Sequence, residues 1–212
     1  MDFCSTNASI YEKTRKKEFT VYESVKRAMD IVLCLIACTV AIPLILITCL
    51  VVVLESRGNP IFVQKRVGMK GRIFHLYKIR SMVLNAEELS GPKWADKNDS
   101  RITRVGAFIR KTRLDELPQL FNILKGDMSI VGPRPERPGF SWQFERETPG
   151  FLERVKVRPG LTGYAQVNGG YDISYEEKLR LDLEYISNRS LWLDLKIMAK
   201  TFYTIFSGEG AR

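Results

Sequence analysis

Residues 28–54 are an almost uninterrupted run of Val, Ile, Leu, Ala and Cys, and no other part of the chain restricts the possible folds so strongly. At about 1.5 Å per residue, a helix of this length reaches across a bilayer hydrocarbon core of about 30 Å. A water-soluble core helix carries more polar punctuation, and a cleaved leader is shorter and ends at a small-residue site, so the segment is expected to stay in the mature protein. Two details argue against a simple span. Pro43 sits near the middle, and both flanks are basic: Lys13, Arg15, Lys16, Lys17, Lys26 and Arg27 precede the run, and Arg57, Lys65, Arg66, Lys70 and Arg72 follow it. The positive-inside rule keeps both flanks cytoplasmic. The expectation is a re-entrant helix-break-helix hairpin turning at Pro43, with Asp30 and Ser24 at the headgroup level.

The 212 residues, 45% hydrophobic and 27% charged, suit one folded domain of fair size. A formal charge of +9 implies a polyanionic partner: nucleic acid, an anionic membrane surface or a phosphorylated substrate. Cys34, Cys38 and Cys49 lie in the apolar run and Cys4 near the terminus, which suggests neither a disulfide framework nor a zinc site. His75, the single histidine, lies in an apolar-alternating stretch, so chemistry through imidazole is not expected.

The most informative polar block is residues 113–136, RLDELPQLFNILKGDMSIVGPRPE. Pro118 tolerates only an early helical position and Gly126 is a natural stop, so Asp115 and Glu116 are expected in a first helical turn, at the positive end of its dipole. Within a helix over residues 114–125, Asp115, Gln119 and Asn122 share a polar face, opposite a core face of Leu117, Leu120, Phe121 and Leu124. Acids at such a position also serve simply to satisfy free N–H groups. Here Arg101, Arg104, Arg110, Lys111 and Arg113 precede the pair, and Arg134 follows between two prolines that restrict its backbone. Cations gathered around ionised carboxylates point to a phosphate site.

Residues 61–67 and 72–79 alternate apolar and polar side chains around Gly68 and Gly71, the pattern of a short β-hairpin. A short helix is expected at residues 82–89, then a polar mobile loop over 90–100 in which Trp94 is a candidate contact with lipid or ligand. Residues 105–111 and 136–147 read as helices. Residues 158–170, RPGLTGYAQVNGG, read as a non-helical stretch whose glycines let backbone approach an anion. Ser174 and Glu177 have capping-box spacing ahead of a helix to about residue 187. A final apolar helix over 191–206 carries Trp192, Phe202, Tyr203 and Phe206 with Lys196 and Lys200, and suits either the membrane interface or the core.

Taken together, the apolar hairpin, QKRVG, YKIRSM, RITRVG, LDELPQLFNILKGDMSIVGPRPE and RPGLTGYAQVNG closely resemble the bacterial sugar transferase family, the monotopic phosphoglycosyl transferases, over about residues 25–206. The resemblance implies transfer of a sugar 1-phosphate from a nucleotide diphosphate sugar, typically of uridine, to a polyprenyl phosphate, typically undecaprenyl phosphate, with release of nucleoside monophosphate. It implies an α/β, mainly α, fold: residues 1–24 a basic cytoplasmic segment, 25–56 the re-entrant helix and 57–212 one compact membrane-associated catalytic domain on the cytoplasmic face. It makes Asp115 the nucleophile that holds a sugar-phosphoryl intermediate, and Glu116 a second ligand of Mg²⁺ or a proton acceptor. Lys78, Arg110, Arg134 and Arg158 become the phosphate-binding cations. Longer relatives carry further membrane helices and another domain, so the chain is expected to be a minimal form. One departure is Gly170, where relatives commonly carry Arg or Lys after VNG.

Expected partners are a nucleotide diphosphate sugar, the polyprenyl phosphate and membrane lipids, with no nucleic acid and with a homodimer open. The competing readings are an inactive membrane scaffold and a basic membrane-anchored binding protein. The latter leaves the adjacent carboxylates unexplained, because nucleic-acid binding calls for cations interleaved with exposed aromatics.

Overall fold

The computed structural model describes residues 3–86, 99–169 and 173–207. Trp94, most of the polar loop and Gly170 lie outside the described residues. Helix α1 (Phe3–Glu55) is one continuous helix that contains Pro43. Proline removes a single hydrogen bond, and the neighbouring turns can carry the helix past it. Thr39, whose carbonyl loses that bond, donates its own hydroxyl to the Ile36 carbonyl at 2.7 Å. The expected interruption at Pro43 is therefore absent from the hydrogen-bonded helix.

The most apolar window of α1 has a mean hydropathy of 2.9, and only 28% of it is covered by protein. Val32, Leu35, Ile36, Val40, Leu46, Ile47 and Leu50 face outward. One stripe faces inward: Cys34, Cys38, Ala41, Ile45 and Val52 join Phe74, Leu76, Ile79, Ile109, Leu120, Ile123 and Met128 in the main hydrophobic core. Polar anchors hold α1 near both ends of the apolar run. Arg27 donates to the Ile123 and Leu124 carbonyls at 2.6 and 2.8 Å, and the buried Asp30 accepts from the Ile130 N–H at 3.2 Å. At the other end Glu55 accepts from the Val105 N–H at 3.1 Å, and buried Arg80 donates to the Ser56 and Arg57 carbonyls. Asp30 thus lies against the domain.

Strands β1 (Ile61–Val67) and β2 (Ile73–Ile79) form the expected antiparallel hairpin, in a register running from Ile61 opposite Ile79 to Val67 opposite Ile73. Met82 is not helical: it forms an isolated antiparallel bridge with Ile102, which ties the chain after β2 to the start of α2 (Arg104–Lys111). Residues 114–125 divide into a 3-10 turn, Leu114–Glu116, and helix α3 (Gln119–Lys125). Pro118 cannot donate to a preceding carbonyl, so the two segments do not merge into one helix. Gly126 ends α3 with φ 93°, the left-handed stop that glycine adopts without strain.

The faces of α3 also differ from the expected ones. Gln119 and Asn122 are buried beside Leu120 and Ile123, whereas Phe121 is 46% exposed. The Asn122 amide makes up for its burial by donating to the His75 carbonyl at 2.7 Å and accepting from the Tyr77 N–H at 3.1 Å, so it pairs with β2 as a neighbouring strand would.

Strands β3 (Ser129–Val131) and β4 (Gly160–Thr162) pair in parallel. A Cβ on Gly132 would lie 2.4 Å from the Arg158 carbonyl oxygen, and one on Gly160 2.1 Å from the Gly132 nitrogen. These glycines let backbone approach backbone, not an anion. Between the strands run α4 (Pro138–Glu147) and a 3-10 segment, Phe151–Lys156. After β4, residues 164–168 are helical (α5, Tyr164–Asn168) where a non-helical stretch was expected. Helix α6 (Tyr175–Ser187) starts with the predicted cap, Ser174 Oγ accepting from the Glu177 N–H. Helix α7 (Leu191–Ser207) packs into the core through Asp194 and Ile197, while Trp192, Phe202 and Tyr203 are each about two-thirds exposed.

Candidate active site

The turn that carries the carboxylates is set up by Arg113, whose φ of 60° is left-handed, uncommon for a residue with a side chain and most often found where function needs it. This residue reverses the chain after α2 and sends it into the 3-10 turn. Asp115 is buried at 7% exposure.

Two cations from distant parts of the chain meet the pair. Lys78, near the end of β2, places Nζ 2.8 Å from Glu116 Oε1 and 3.7 Å from Asp115 Oδ2. Arg134, held between Pro133 and Pro135 after β3, places Nη2 2.6 Å from the same Glu116 oxygen. Arg110, on α2, acts electrostatically on Asp115, and its buried Nη1 has no hydrogen-bond partner. An orphaned buried guanidinium N–H beside carboxylates can donate to an anionic oxygen of a ligand. Arg158 is drawn elsewhere: its guanidinium lies 3.8 Å from Glu23 on α1. Arg101 holds Asp99 at 2.5 Å.

The two carboxylates therefore differ in state. Burial raises both, but at Glu116 the Arg134 and Lys78 charges and hydrogen bonds prevail and hold it well below the usual carboxylate range. At Asp115 burial prevails, aided by the neighbouring Glu116 charge and only partly countered by Lys78, Arg110 and Arg134, so its pKa lies above the usual value. The contact of Asp115 with Lys78 is longer than a hydrogen bond. It is a desolvated carboxylate facing cations without being clamped by them, which suits attack on an electrophile that those cations neutralise.

Sequence reasoning found Lys78, Arg110, Asp115, Glu116 and Arg134, which the fold brings together. It missed Asn122, whose side chain ties α3 to the strand carrying Lys78. It also missed Glu136, a buried carboxylate two residues beyond Arg134 that contacts Lys178, Arg154 and Arg66. The signal for Asn122 was an amide at a position whose neighbours are core residues. The PRPE run contained Glu136, but its partners lie too far along the chain to read.

Comparison with known proteins matches residues 21–208 to the family model described as Bacterial sugar transferase. Over 195 residues the chain is 49% identical to the UDP-N-acetylgalactosamine-undecaprenyl-phosphate N-acetylgalactosaminephosphotransferase of Aeromonas hydrophila, covering 91% of this chain and 46% of that protein. It is 42% identical over 188 residues to the UDP-glucose:undecaprenyl-phosphate glucose-1-phosphate transferase of Escherichia coli (strain K12), covering 86% of this chain and 40% of that protein. It is 40% identical over 200 residues to the undecaprenyl-phosphate galactose phosphotransferase of Salmonella typhimurium, covering 88% and 41%. The chain thus spans about half the length of these relatives or somewhat less. The family match runs from the long apolar helix through the carboxylate turn to the last helix, and the chain belongs to the bacterial sugar transferase family.

Proposed function

We propose that this protein transfers a sugar 1-phosphate from a uridine diphosphate sugar to undecaprenyl phosphate, and so starts the assembly of a surface polysaccharide or glycoconjugate. The observation that carries the reading is Asp115, buried and unclamped among Lys78, Arg110 and Arg134, beside a Glu116 whose charge is already balanced. An Asp115 oxygen attacks the phosphorus that bears the sugar, the bond to the bridging oxygen breaks, and uridine monophosphate leaves with the electron pair. A phosphate oxygen of the lipid then attacks the same phosphorus, freeing the Asp115 carboxylate and leaving the sugar on a lipid diphosphate. Lys78, Arg110 and Arg134 offset the charge of the diphosphate that the carboxylate must approach. Arg158, paired with Glu23, stands outside this group of cations.

A magnesium ion fits the donors on hand. Mg²⁺ commonly takes one or two carboxylates and completes its shell with phosphate oxygens and water, and Asp115 with the Glu116 oxygen not engaged by Lys78 supplies such a pair. When bound, it would polarise the diphosphate and neutralise charge as the bond to the leaving group breaks. Among the described residues no group of three or more His, Cys, Asp or Glu is assembled for a metal, in keeping with a site that borrows ligands from its substrate.

The reading includes attachment to one leaflet, with the domain on the cytoplasmic face. Its support is that anchors near residues 27–30 and at 55–57 hold both ends of the apolar run to the same domain. An uninterrupted helix over that interval is about 40 Å long, and the domain core meets its inward stripe from Cys34 to Val52, so the helix lies along the domain rather than leaving it to cross a bilayer. The exposed aromatic face of α7, with Lys196 against Trp192, suits the headgroup region. Single cysteines at residues 24 and 57, in a background lacking the native ones, are expected to react with an impermeant reagent from the cytoplasmic side only. Reaction of either from outside would end the one-leaflet arrangement.

The test of the reaction is lipid-dependent release of uridine monophosphate by detergent-solubilised protein with Mg²⁺, undecaprenyl phosphate and a panel of uridine diphosphate sugars, starting with N-acetylgalactosamine, the sugar named for the Aeromonas relative. Release with one donor, lost in Asp115→Asn, is the expected result. Release undiminished in Asp115→Asn would remove the covalent role, and no release from solubilised protein or intact membranes would favour the scaffold reading.

A further inference from the structure

Arg134 is the one residue of the segment 133–136 that reaches Glu116, and every other part of that segment is tied down. The Pro133 carbonyl accepts from the Gly160 N–H at 3.0 Å, the Glu136 carbonyl from the Val67 N–H at 2.9 Å, and the Pro135 carbonyl from Arg66 Nη1 at 2.9 Å. The Glu136 side chain, 6% exposed, points away from the carboxylate pair into a cluster of its own. Lys178 from α6 donates to Oε1, Arg154 Nη1 lies 3.6 Å from the same oxygen, and Arg66 Nη1 lies 3.9 Å from Oε2. Arg154 is locked in turn by Asp182, with Nε at 2.9 Å and Nη2 at 2.5 Å from Oδ2. Asp182 is buried and belongs to α6, so the helix after the family's glycine-rich stretch is wired to the backbone that aims Arg134.

We propose that Glu136 is a positioning residue: by gathering Lys178, Arg154 and Arg66 it fixes the 133–136 backbone so that the Arg134 guanidinium meets Glu116. This rests on the reading of Asp115 and Glu116 as the site of phosphoryl transfer. Without the Glu136 charge, Arg154 keeps Asp182 but the repulsion among Lys178, Arg154 and Arg66 is no longer offset at their common carboxylate, and this loosens the turn that Arg134 depends on. Supporting groups of this kind typically matter about 10–100-fold in activity when removed. Their effect passes through the residue they hold, which separates positioning from a general loss of stability.

The experiment is a double-mutant cycle on the full chain in detergent, reading kcat and KM for uridine monophosphate release and the melting temperature of each protein. The set is the parent, Glu136→Gln, Arg134→Ala and the double variant, with Asp115→Asn as reference. The expected result is a loss in kcat of about 10–100-fold for Glu136→Gln, with a double variant no slower than Arg134→Ala by more than about twofold. Losses that multiply in the double variant, or parental turnover in Glu136→Gln, would overturn the proposal. If Glu136→Gln does not fold, Lys178→Gln takes its place in the same cycle and is judged by the same two outcomes. Turnover retained in Asp115→Asn overturns the reading of the site itself, whereas an inert Asp115→Asn beside a parental Glu136→Gln overturns only the role given to Glu136.

Discussion

Two buried charge clusters flank the segment 133–136, and they treat their carboxylates in opposite ways. In one, Glu136 collects Lys178, Arg154 and Arg66, and these cations outweigh its burial and pull it down to about 2. In the other, Asp115 faces Lys78, Arg110 and Arg134, yet burial prevails and its pKa rises. Similar ingredients give a spent anion in one place and an available one in the other. The difference lies in contact: Lys178 donates directly to Glu136, with Arg154 and Arg66 at 3.6 and 3.9 Å, while the Lys78 and Arg134 hydrogen bonds beside Asp115 go to Glu116. The state of a carboxylate in a nest of cations thus depends on whether it takes the hydrogen bonds.

The sharpest way to break this contrast is Asp115→Asn, which should lower turnover by at least on the order of 10³-fold. Its melting temperature should hold or rise, because a buried carboxylate with a raised pKa loses an unfavourable charge. A clear drop in stability would mean that Asp115 is held as firmly as Glu136. Next in size, Lys78→Ala and Arg134→Ala should each lower kcat about 10²–10³-fold, as removal of one preorganised charge does elsewhere. Normal rates in both would show that Glu116 needs neither partner.

The other cluster is read through stability and pH. Glu136→Gln should cost on the order of 3 kcal/mol in unfolding free energy near neutral pH. Because the folded value, about 2, lies below the unfolded one, this contribution is present above about pH 4.5 and is lost as pH falls towards 2. The parent should therefore lose stability over that window more steeply than the variant, in denaturant titrations at several pH values. Asp182 works in the opposite sense, since burial raises it despite Arg154, and it is common to both proteins. Parallel curves for the two proteins would mean that Glu136 is not the clamped anion described here. The smallest effect belongs to Arg158→Ala. Paired with Glu23 at 3.8 Å in a partly exposed contact, it should change kcat/KM by no more than about fivefold. A loss comparable to that of Arg134→Ala would show that Arg158 leaves Glu23 to bind substrate.

What was legible in the sequence follows from what is local. The adjacent carboxylates, the proline-framed Arg134, the alternating hairpin that delivers Lys78 and the Ser174 cap are all short-range patterns, and the fold keeps them. Where the reading failed, a contact across the chain overrode a local rule. The polar residues Gln119 and Asn122 look like a solvent face until β2 supplies partners that let Asn122 be buried. Met82 is captured by Ile102 in a bridge, so the helix expected from that residue does not begin before Ala86, and residues 87–89 lie outside the described residues. The glycines near residue 160 read as an anion cradle because the opposing backbone at Gly132 could not be seen. Proline at 43 suggested a break because its lost bond was counted and the neighbouring turns were not.

The inward stripe of α1 makes the membrane segment a structural partner of the domain rather than a tether for it. Cys34, Cys38, Ala41, Ile45 and Val52 fill the same core as Leu120 and Ile123, immediately behind the carboxylate turn. Cutting the chain at residue 57 would therefore not liberate a soluble enzyme. It would open the core along its length and remove the Arg27 and Asp30 anchors from α3 and β3. The apolar helix and the carboxylate turn are in that sense parts of one interior, and a chain without the helix has no finished core in which to bury Asp115.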